Sequence, residues 1–398
     1  MAITSLNILR GADVVYSDKA DHSGEDSHWT EGKIIDPEMA STAGIKTRIC
    51  MISDTHTTSP YSPSEKDHAY RNPLPEADIL LHSGDLTKVG YRTEHEETIS
   101  MLKAAPAELK LVIAGNHDIT LDEEYFLRTG YKKHRKTAYF GAKNIPLHKD
   151  EQTRLEAIKE GTIPPPPQLL SYIRDIKDLY TNESARAAGI RYLDEGIHTF
   201  TLQSGAKFTV YASPYQPEFC NWAFAYDRNE DRFNLPAPGS TAPIPANPVP
   251  DFPNIDIMIT HGPPAGVLDR VGDDRKQSEH VGCESLLRAA ERARPKLYLF
   301  GHIHEGWGAV RGTYDGTKAS EKDSKEGGSA SVSVKQEKIP IDEKDMLEKR
   351  GVYLDVSSEG QRPLACGDET LFVNASIVDV YYRPVNAPWV VDLDLPRG

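Results

Sequence analysis

Short apolar runs rich in isoleucine, leucine and valine recur along the chain, and each ends in a cluster of polar residues. They read RICMISDTH (48–56), ADILLHSGD (77–85), LKLVIAGNHD (109–118), IDIMITHGPP (255–264) and KLYLFGHIH (296–304). Runs of this length are too short for helices. Their continuous apolar character predicts buried strands that are covered on both faces.

Helical patterns lie between these runs. Residues 120–123 (TLDE) form a capping box, which predicts a short helix through about Arg128. Residues 171–189 and 284–294 have helical spacing, and Pro295 ends the second of them. Four more strands are predicted within AKFTVYASPY, ETLFVNAS, IVDVYYRP and WVVDLDL. Strands that alternate with loops and helices predict an α/β layered architecture.

Three segments lie outside this regular pattern. Residues 1–45 are polar and predict an N-terminal extension, so the main domain is expected over residues 46–398. Residues 228–253 are proline-rich and predict an irregular surface loop. Residues 315–350 are charged and rich in glycine and serine, and they predict a flexible insertion.

Composition narrows the compartment and the partners. Without an apolar run of about 18 residues, no membrane span is expected. The N-terminus has no secretory pattern, and the four cysteines form no CxxC pair, so we expect buried free thiols and a cytoplasmic protein. The net charge is −14 and no basic cluster is present, so no binding of a nucleic-acid duplex is expected. An acidic protein can still bind phosphate if bound cations reverse the local field.

The polar clusters carry the candidate chemistry. Loops after strand ends are where α/β folds place their sites. Imidazole and carboxylate or amide oxygens without thiolates are typical of a hydrolytic metal site. Seven such donors are too many for one ion and suit two divalent ions that share a carboxylate. The candidate ligands are Asp54, His56, Asp85, Asn116, His261, His302 and His304.

At these residues the chain resembles the calcineurin-like metallophosphoesterase superfamily. DTH, GD, GNHD, THG and GHIH stand in the order of the family's D-x-H, GD, GNH[DE], H and GH-x-H blocks. The phrases SPYQPEFCNWAF, THGPP, VGCESLL, RPKLYLFGHIHEGWG and FVNAS resemble its cytosolic metallophosphoesterase-domain subgroup. The resemblance implies a four-layer α-β-β-α sandwich with loop insertions.

The resemblance also implies a role for each residue. Asp54, His56 and His304 would hold one metal, and Asp85 would bridge both ions. Asn116, His261 and His302 would complete the second site, and a hydroxide bridging the ions would be the nucleophile. His117 would serve as general acid or charge stabiliser, and Asp118 would orient it. Manganese is favoured, but iron, zinc and nickel also accept this donor set.

The expected substrate is a small phosphate ester, with cyclic-nucleotide-like phosphodiesters ahead of phosphomonoesters. Ser/Thr protein phosphatases carry an arginine in an extended GDxVDRG block, whereas this chain reads GDLTKVG at residues 84–90. The alternative is a weak or inactive phosphoesterase fold that acts as a binding or scaffold protein. The sequence leaves the oligomeric state open.

Several neighbouring residues admit a simple structural explanation. His82 precedes Gly84-Asp85, but strand alternation points it away from the site, so we expect a core or supporting residue. Tyr215, Asn221, Trp222 and Phe224 either line a substrate pocket or pack within an aromatic loop.

Overall fold

The computed structural model describes residues 44–136, 153, 156–158, 160–164, 167–272, 279–314 and 334–398 of the 398-residue chain. Most of the predicted N-terminal extension, residues 1–43, therefore lies outside the described residues. Within them, no helix is both long and apolar enough to cross a bilayer.

Seventeen strands are described. They are β1 (Ile45–Ile52), β2 (Ala77–His82), β3 (Ala107–Val112), β4 (Ile190–Tyr192), β5 (Gly196–Thr201), β6 (Lys207–Ser213), β7 (Gln216–Pro217), β8 (Ala225–Tyr226), β9 (Ile257–Thr260), β10 (Arg270–Val271), β11 (Glu279–His280), β12 (Leu297–Phe300), β13 (Gly308–Tyr314), β14 (Val334–Lys338), β15 (Val352–Asp355), β16 (Glu369–Asn374) and β17 (Trp389–Leu395). The apolar runs of the sequence thus become β1, β2, β3, β9 and β12.

Seven α-helices are described. They are α1 (Arg92–Ala104), α2 (Glu123–Tyr125), α3 (Tyr131–Lys136), α4 (Pro167–Thr181), α5 (Glu183–Ala187), α6 (Glu284–Ala293) and α7 (Glu343–Lys349). A π-helical turn, Phe126–Gly130, separates α2 from α3. The helical pattern of residues 171–189 is divided between α4 and α5, because Asn182 caps a new helix by accepting from the N–H of Ala185.

Two mixed sheets form the body of the protein. The first has the strand order β15-β17-β1-β2-β3-β4, and the second has the order β14-β13-β16-β12-β9-β6-β5. In the first sheet β1, β2 and β3 run parallel, and in the second β6, β9, β12 and β16 run parallel. Antiparallel strands flank both parallel blocks.

Alternate residues of the central strands belong to different layers of the core. Ile49 and Met51 of β1 pack between the two sheets together with Ile257 of β9, whereas Cys50 packs with α1 and α4 outside the first sheet. On the far side of the second sheet, Tyr298 of β12 packs against α6. Helices, sheet, sheet and helix therefore form four layers. The predicted α/β fold of α-β-β-α type is confirmed.

Local predictions fail where polar side chains bind the backbone. The capping box places the cap at Thr120, but the cap is Asp122, whose carboxylate accepts from the N–H of Tyr125 at 2.9 Å. Thr120 instead donates its hydroxyl to the carbonyl of Gly90 at 2.8 Å. IVDVYYRP (377–384) is a turn rather than a strand, because the Asp379 carboxylate accepts from two backbone N–H groups within it.

The structure differs from the prediction in one insertion and in the burial of two cysteines. Residues 334–350 are not irregular as predicted, because β14 pairs with β13 as the edge strand of the second sheet and α7 follows; residues 315–333 lie outside the described part. The proline-rich residues 228–253 contain no described helix or strand. All four cysteines are free, but only Cys50 and Cys283 are buried, whereas Cys220 and Cys366 are exposed.

The layer between the sheets should dominate stability. We predict that Leu299→Ala, at a fully buried position of β12, lowers the free energy of unfolding by about 2–5 kcal/mol, because it removes packing atoms and leaves a cavity. Urea denaturation measures this change. Ile244→Ala, at a side chain 74% exposed on the proline-rich loop, is the control and should change it by less than about 0.5 kcal/mol. Equal effects of the two variants would contradict this placement of the core.

Candidate metal centre

The loops after β1, β2, β3, β9 and β12 bring the predicted ligands to one place. Potential ligand atoms lie within 4.8 Å of one another in three groups that share members. The groups are Asp54, His56 and His304; His56, Asp85 and His117; and Asp85, His261 and His302. Asn116 joins the third group, because its Oδ1 lies 2.8 Å from Nε2 of His261. The structure thus collects all seven predicted ligands, with Asp85 in two groups.

Hydrogen bonds between the loops hold this arrangement. The N–H of Asp54 donates to the carbonyl of Gly84, and that of His56 donates to the carbonyl of Asp85, both at 3.0 Å. Across the two sheets, the N–H of His302 donates to the Asp54 carboxylate at 3.0 and 3.1 Å. Strand ends of both sheets are therefore connected at the site itself.

Backbone strain is concentrated at the ligands. Asp54, His56, Asp85 and His302 all have φ between 43° and 65°, a region that side chains other than glycine seldom adopt. Four such residues in one site indicate that the surrounding hydrogen bonds hold the loops in conformations they would not choose alone. Strain of this kind is typical of functional sites.

Two glycines leave room for the carboxylates. A Cβ atom at Gly115 would lie 2.3 Å from Oδ1 of Asp85, and one at Gly301 would meet Oδ2 of Asp54. Any larger residue at either position would displace a carboxylate. The GN and GH pairs of the sequence therefore have a steric basis.

The histidines are oriented through their Nδ1 atoms. Backbone carbonyls lie 3.0 Å from Nδ1 of His56 and of His261, and 3.1 Å from Nδ1 of His304. A carbonyl oxygen only accepts, so each Nδ1 carries the hydrogen, and Nε2 of a neutral His56 or His261 presents a lone pair. Asp54 raises the pKa of His304, whose Nε2 can donate to that carboxylate. Carbonyl contacts of this type fix metal-binding histidines.

The Nε2 atoms face other acceptors. Nε2 of His56 lies 3.5 Å from Asp85 and 3.4 Å from Nε2 of His304. Nε2 of His261 lies 3.4 Å from the other oxygen of Asp85, and Nε2 of His304 lies 3.4 Å from Asp54. Lone pairs that face lone pairs in a buried site need a cation or a proton between them. The donor set therefore fits divalent metal ions.

Burial shapes the ionisation of these groups. It lowers the pKa of His261 below its usual value and that of His302 to about 3, so both rings are neutral ligands at pH 7. Burial, together with the charges of Asp54 and Asp118, raises the pKa of Asp85 well above its usual range. Burial opposes ionisation of Asp54 as well, but the hydrogen bond from His304 lowers the pKa of that carboxyl. Cations would favour ionisation of both carboxyls.

His117 lies beside the ligands and presents its free nitrogen to them. Its ring Nδ1 donates to the carbonyl of Lys88 at 2.6 Å, and its backbone N–H donates to the Asp85 carboxylate at 2.8 Å. The ring stacks on Trp222 with a centroid distance of 4.0 Å. Burial lowers the pKa of His117 to about 4. Of the aromatic loop, Trp222 thus adjoins the site, whereas Phe224 is buried.

Asp118 does not orient His117 as the sequence predicts. Its carboxylate accepts from the N–H groups of Leu86, Thr87 and Gly115 and from the Thr87 hydroxyl, at 2.7–3.1 Å. These four donors occupy the carboxylate, and the imidazole of His117 has its partner in Lys88. Asp118 therefore ties the loop of Asp85 to the loop of Asn116.

Three further residues lie at the site, and the sequence predicts a supporting role for only one of them, His82. The hydroxyl of Ser376 lies 3.0 Å from Asp54 and 2.8 Å from Asn374; both belong to the FVNAS phrase, which was the available signal. His82 is buried and pairs with the hydroxyl of Thr55 at 2.9 Å, next to Asp54. Tyr382, whose ring lies 4.7 Å from that of His56, had no signal.

The role of Asp118 can be tested through metal affinity. We predict that Asp118→Ala weakens metal binding about 10- to 100-fold, because three buried N–H groups in the ligand loops lose their acceptor. Titration of the metal-free protein measures this. Asp122→Ala is the matched control: it removes a helix cap, lowers the free energy of unfolding by about 1 kcal/mol and should leave metal affinity unchanged. Unaltered affinity in Asp118→Ala would contradict the role.

Comparisons with known proteins agree with this geometry. Metallophosphoesterase domain-containing protein 1 of Homo sapiens is 29% identical over 357 residues, which cover 88% of this chain and 72% of that protein, and the Mus musculus protein of that name gives the same figures. UPF0046 protein T07D4.2 of Caenorhabditis elegans is 30% identical over 245 residues, or 61% of this chain and 49% of that protein. The family model described as calcineurin-like phosphoesterase matches residues 47–306. The chain therefore belongs to the calcineurin-like phosphoesterase family.

Proposed function

We propose that this protein is a dinuclear metal-dependent phosphoesterase that hydrolyses small phosphodiesters of the cyclic-nucleotide type, or phosphomonoesters. One observation carries the proposal. The lone pairs of His56 and His261 face the two carboxylate oxygens of Asp85 at 3.4–3.5 Å, and Nε2 of His304 lies 3.4 Å from Asp54. Such a buried arrangement needs a proton or a cation between its acceptors, and seven imidazole, carboxylate and amide donors suit divalent ions.

The ligands divide into two sets. Asp54, His56 and His304 hold the first ion, and Asn116, His261 and His302 hold the second. Asp85 serves both, because its Oδ2 faces His56 and its Oδ1 faces His261. Manganese is the favoured metal, since oxygen and imidazole donors without thiolate suit a borderline-hard ion.

When bound, two such ions polarise the phosphoryl group and lower the pKa of a water molecule that attacks phosphorus. The residues of the chain do the positioning. Asp118 keeps the loops of Asp85 and Asn116 in register, and Ser376 supports Asp54 on the other side. These contacts keep the ligand atoms in place without rearrangement during the reaction.

His117 is the proposed general acid or charge stabiliser at the leaving oxygen. Burial lowers its pKa to about 4, so it would gain a proton to donate when an anionic phosphate lies beside it. Its Nδ1 hydrogen is committed to the Lys88 carbonyl, so its Nε2 is the atom that holds or releases a proton towards the substrate. It lies in the group with His56 and Asp85. This position supports a place for His117 beside the ion that His56 and Asp85 would hold.

The GD block and the cysteines bear on the type of ester and on the cellular location. The chain has no arginine in its GDLTKVG block, so it lacks the guanidinium that would pair with a phosphomonoester dianion there. This favours diesters. We further propose a cytoplasmic location, because four free cysteines, two of them exposed, suit a reducing compartment.

A direct assay tests the proposed reaction. The protein is loaded with Mn²⁺, its metal content is measured, and bis(p-nitrophenyl) phosphate is compared with p-nitrophenyl phosphate as substrate. We expect about two ions per chain and faster turnover of the diester. Two bound ions with no turnover of either ester would sink the enzymatic proposal and leave a binding protein on this fold.

His117→Ala separates catalysis from metal binding. We expect both ions to remain bound, because every ligand is intact, while kcat falls about 10²- to 10⁴-fold, as for loss of a general acid. Elemental analysis and steady-state kinetics give the two quantities. His198→Ala, on strand β5, is the control and should retain full rate. Loss of one ion from His117→Ala would mean that His117 is a ligand.

A further inference from the structure

Three aromatic side chains surround the metal centre. The ring of Tyr382 lies 4.7 Å from that of His56, 5.7 Å from that of His304 and 6.2 Å from that of His117, each in edge contact. Trp222 stacks on His117 at 4.0 Å. Phe219 approaches the other ligand set, 6.4 Å from His302. Aromatic rings thus border both proposed metal positions.

These rings are unusually exposed for apolar groups. Tyr382 is 45% exposed and Phe219 is 60% exposed, and Val380 and Tyr381 in the same turn as Tyr382 are also exposed. A contiguous group of exposed apolar side chains often marks a binding surface. Here they adjoin a metal centre, which makes a substrate the natural occupant.

The turn that carries Tyr382 is firmly built. The Asp379 carboxylate accepts from the N–H groups of Tyr381 and Arg383 and pairs with the Arg383 guanidinium. The carbonyl of Asp379 accepts from Nδ1 of His304. Tyr382 itself has φ of 61°. One residue of the turn therefore orients a metal ligand while another presents its ring to the site.

Tyr382 is not a member of the described hydrophobic core clusters. Among the residues described, its hydroxyl has no hydrogen-bond partner in the protein, and its aromatic contacts are with His56, His117 and His304. A half-exposed ring held in a strained turn next to three histidines is costly to keep unless something binds against it.

We propose that Tyr382 is a specificity-determining residue, whose ring contacts a planar aromatic or heteroaromatic group carried by the phosphate ester. The inference rests on the proposed function, because it deepens the substrate class of that same site. Phe219 and Trp222 lie against His302 and His117 of the same site. Stacking between a flat ring and an aromatic side chain tolerates many substituents and adds affinity without charge.

The test measures binding rather than turnover. Phenylphosphonate and methylphosphonate carry the same phosphonate head but differ in the ring, and neither is a hydrolysable ester. Calorimetry with the Mn²⁺-loaded full chain gives the ratio of their Kd values. We expect the wild type to bind phenylphosphonate about tenfold more tightly, as one stacking contact provides.

Three variants locate the effect. Tyr382→Leu should lower the ratio of Kd values to about one while methylphosphonate affinity and metal content stay the same. Tyr382→Phe keeps the ring and should keep the preference. Tyr381→Leu is the matched control from the same turn, since Tyr381 is 74% exposed and makes no ring contact with a site histidine among the described residues; its ratio should equal that of the wild type.

The outcomes are distinguishable from failure of the proposed function. A wild-type ratio near one, or equal ratios for Tyr382→Leu and wild type, overturns the role of Tyr382 even if the protein hydrolyses phosphodiesters. A tenfold preference that disappears only in Tyr382→Leu supports the role even if no ester is turned over. Equal loss in Tyr381→Leu means that the turn acts as a whole, and it also overturns the assignment to Tyr382.

Discussion

The structure depends on one constraint: histidine lone pairs and carboxylate oxygens are held facing one another inside the protein. Backbone carbonyls take the Nδ1 hydrogens of His56, His261 and His304, which leaves Nε2 of a neutral His56 or His261 as an acceptor that points at Asp85. His56, His261 and Asp85 are buried, so bulk solvent does not relieve this arrangement. Positive charge has to enter the site. A protein with a net charge of −14 thus acquires a positive place for a phosphate only through the ions it binds.

The two sheets supply the stiffness for this constraint. Their parallel strands end at the same edge, and direct hydrogen bonds join the ends: the N–H of Ser53 after β1 donates to the carbonyl of Ala375 after β16, and the N–H of Ile377 donates back to the carbonyl of Ser53. The ligands lie immediately beyond these joints, with φ values that their side chains would not choose. Packing between the sheets and geometry at the metal centre are therefore coupled, since any slip of one sheet over the other would separate Asp54 from His302.

Much of the fold and the clustering of the seven candidate ligands could be predicted because their signals are local. An apolar run followed by Asp, Asn or His reports both a buried strand and the loop after it, and this was sufficient for β1, β2, β3, β9 and β12. The failures concern side chains that bind distant backbone. The sequence predicts that Asp118 orients its neighbour His117. Its carboxylate instead accepts from the backbone N–H groups of Leu86 and Thr87, about thirty positions earlier in the chain. IVDVYYRP has the composition of a strand, yet Asp379 folds it into a turn, and no periodicity in the sequence reveals that choice.

The misread turn bears on how such a site can select a substrate. Two cations and their ligands attract every phosphate ester alike, because the charge they offer is independent of what the ester carries. Discrimination among esters must come from contacts beyond the phosphoryl group, and such contacts must be neutral if they are not to compete with the metal ligands. Aromatic rings meet this requirement, and three of them, Phe219, Trp222 and Tyr382, lie against histidines of the site. They stand on irregular segments outside the parallel strands, in a family whose catalytic blocks stand at strand ends. Chemistry and selectivity thus lie on separate structural elements, so the turn at Tyr382 can vary in sequence without disturbing the ligands, provided that the Asp379 carbonyl still receives the hydrogen of His304.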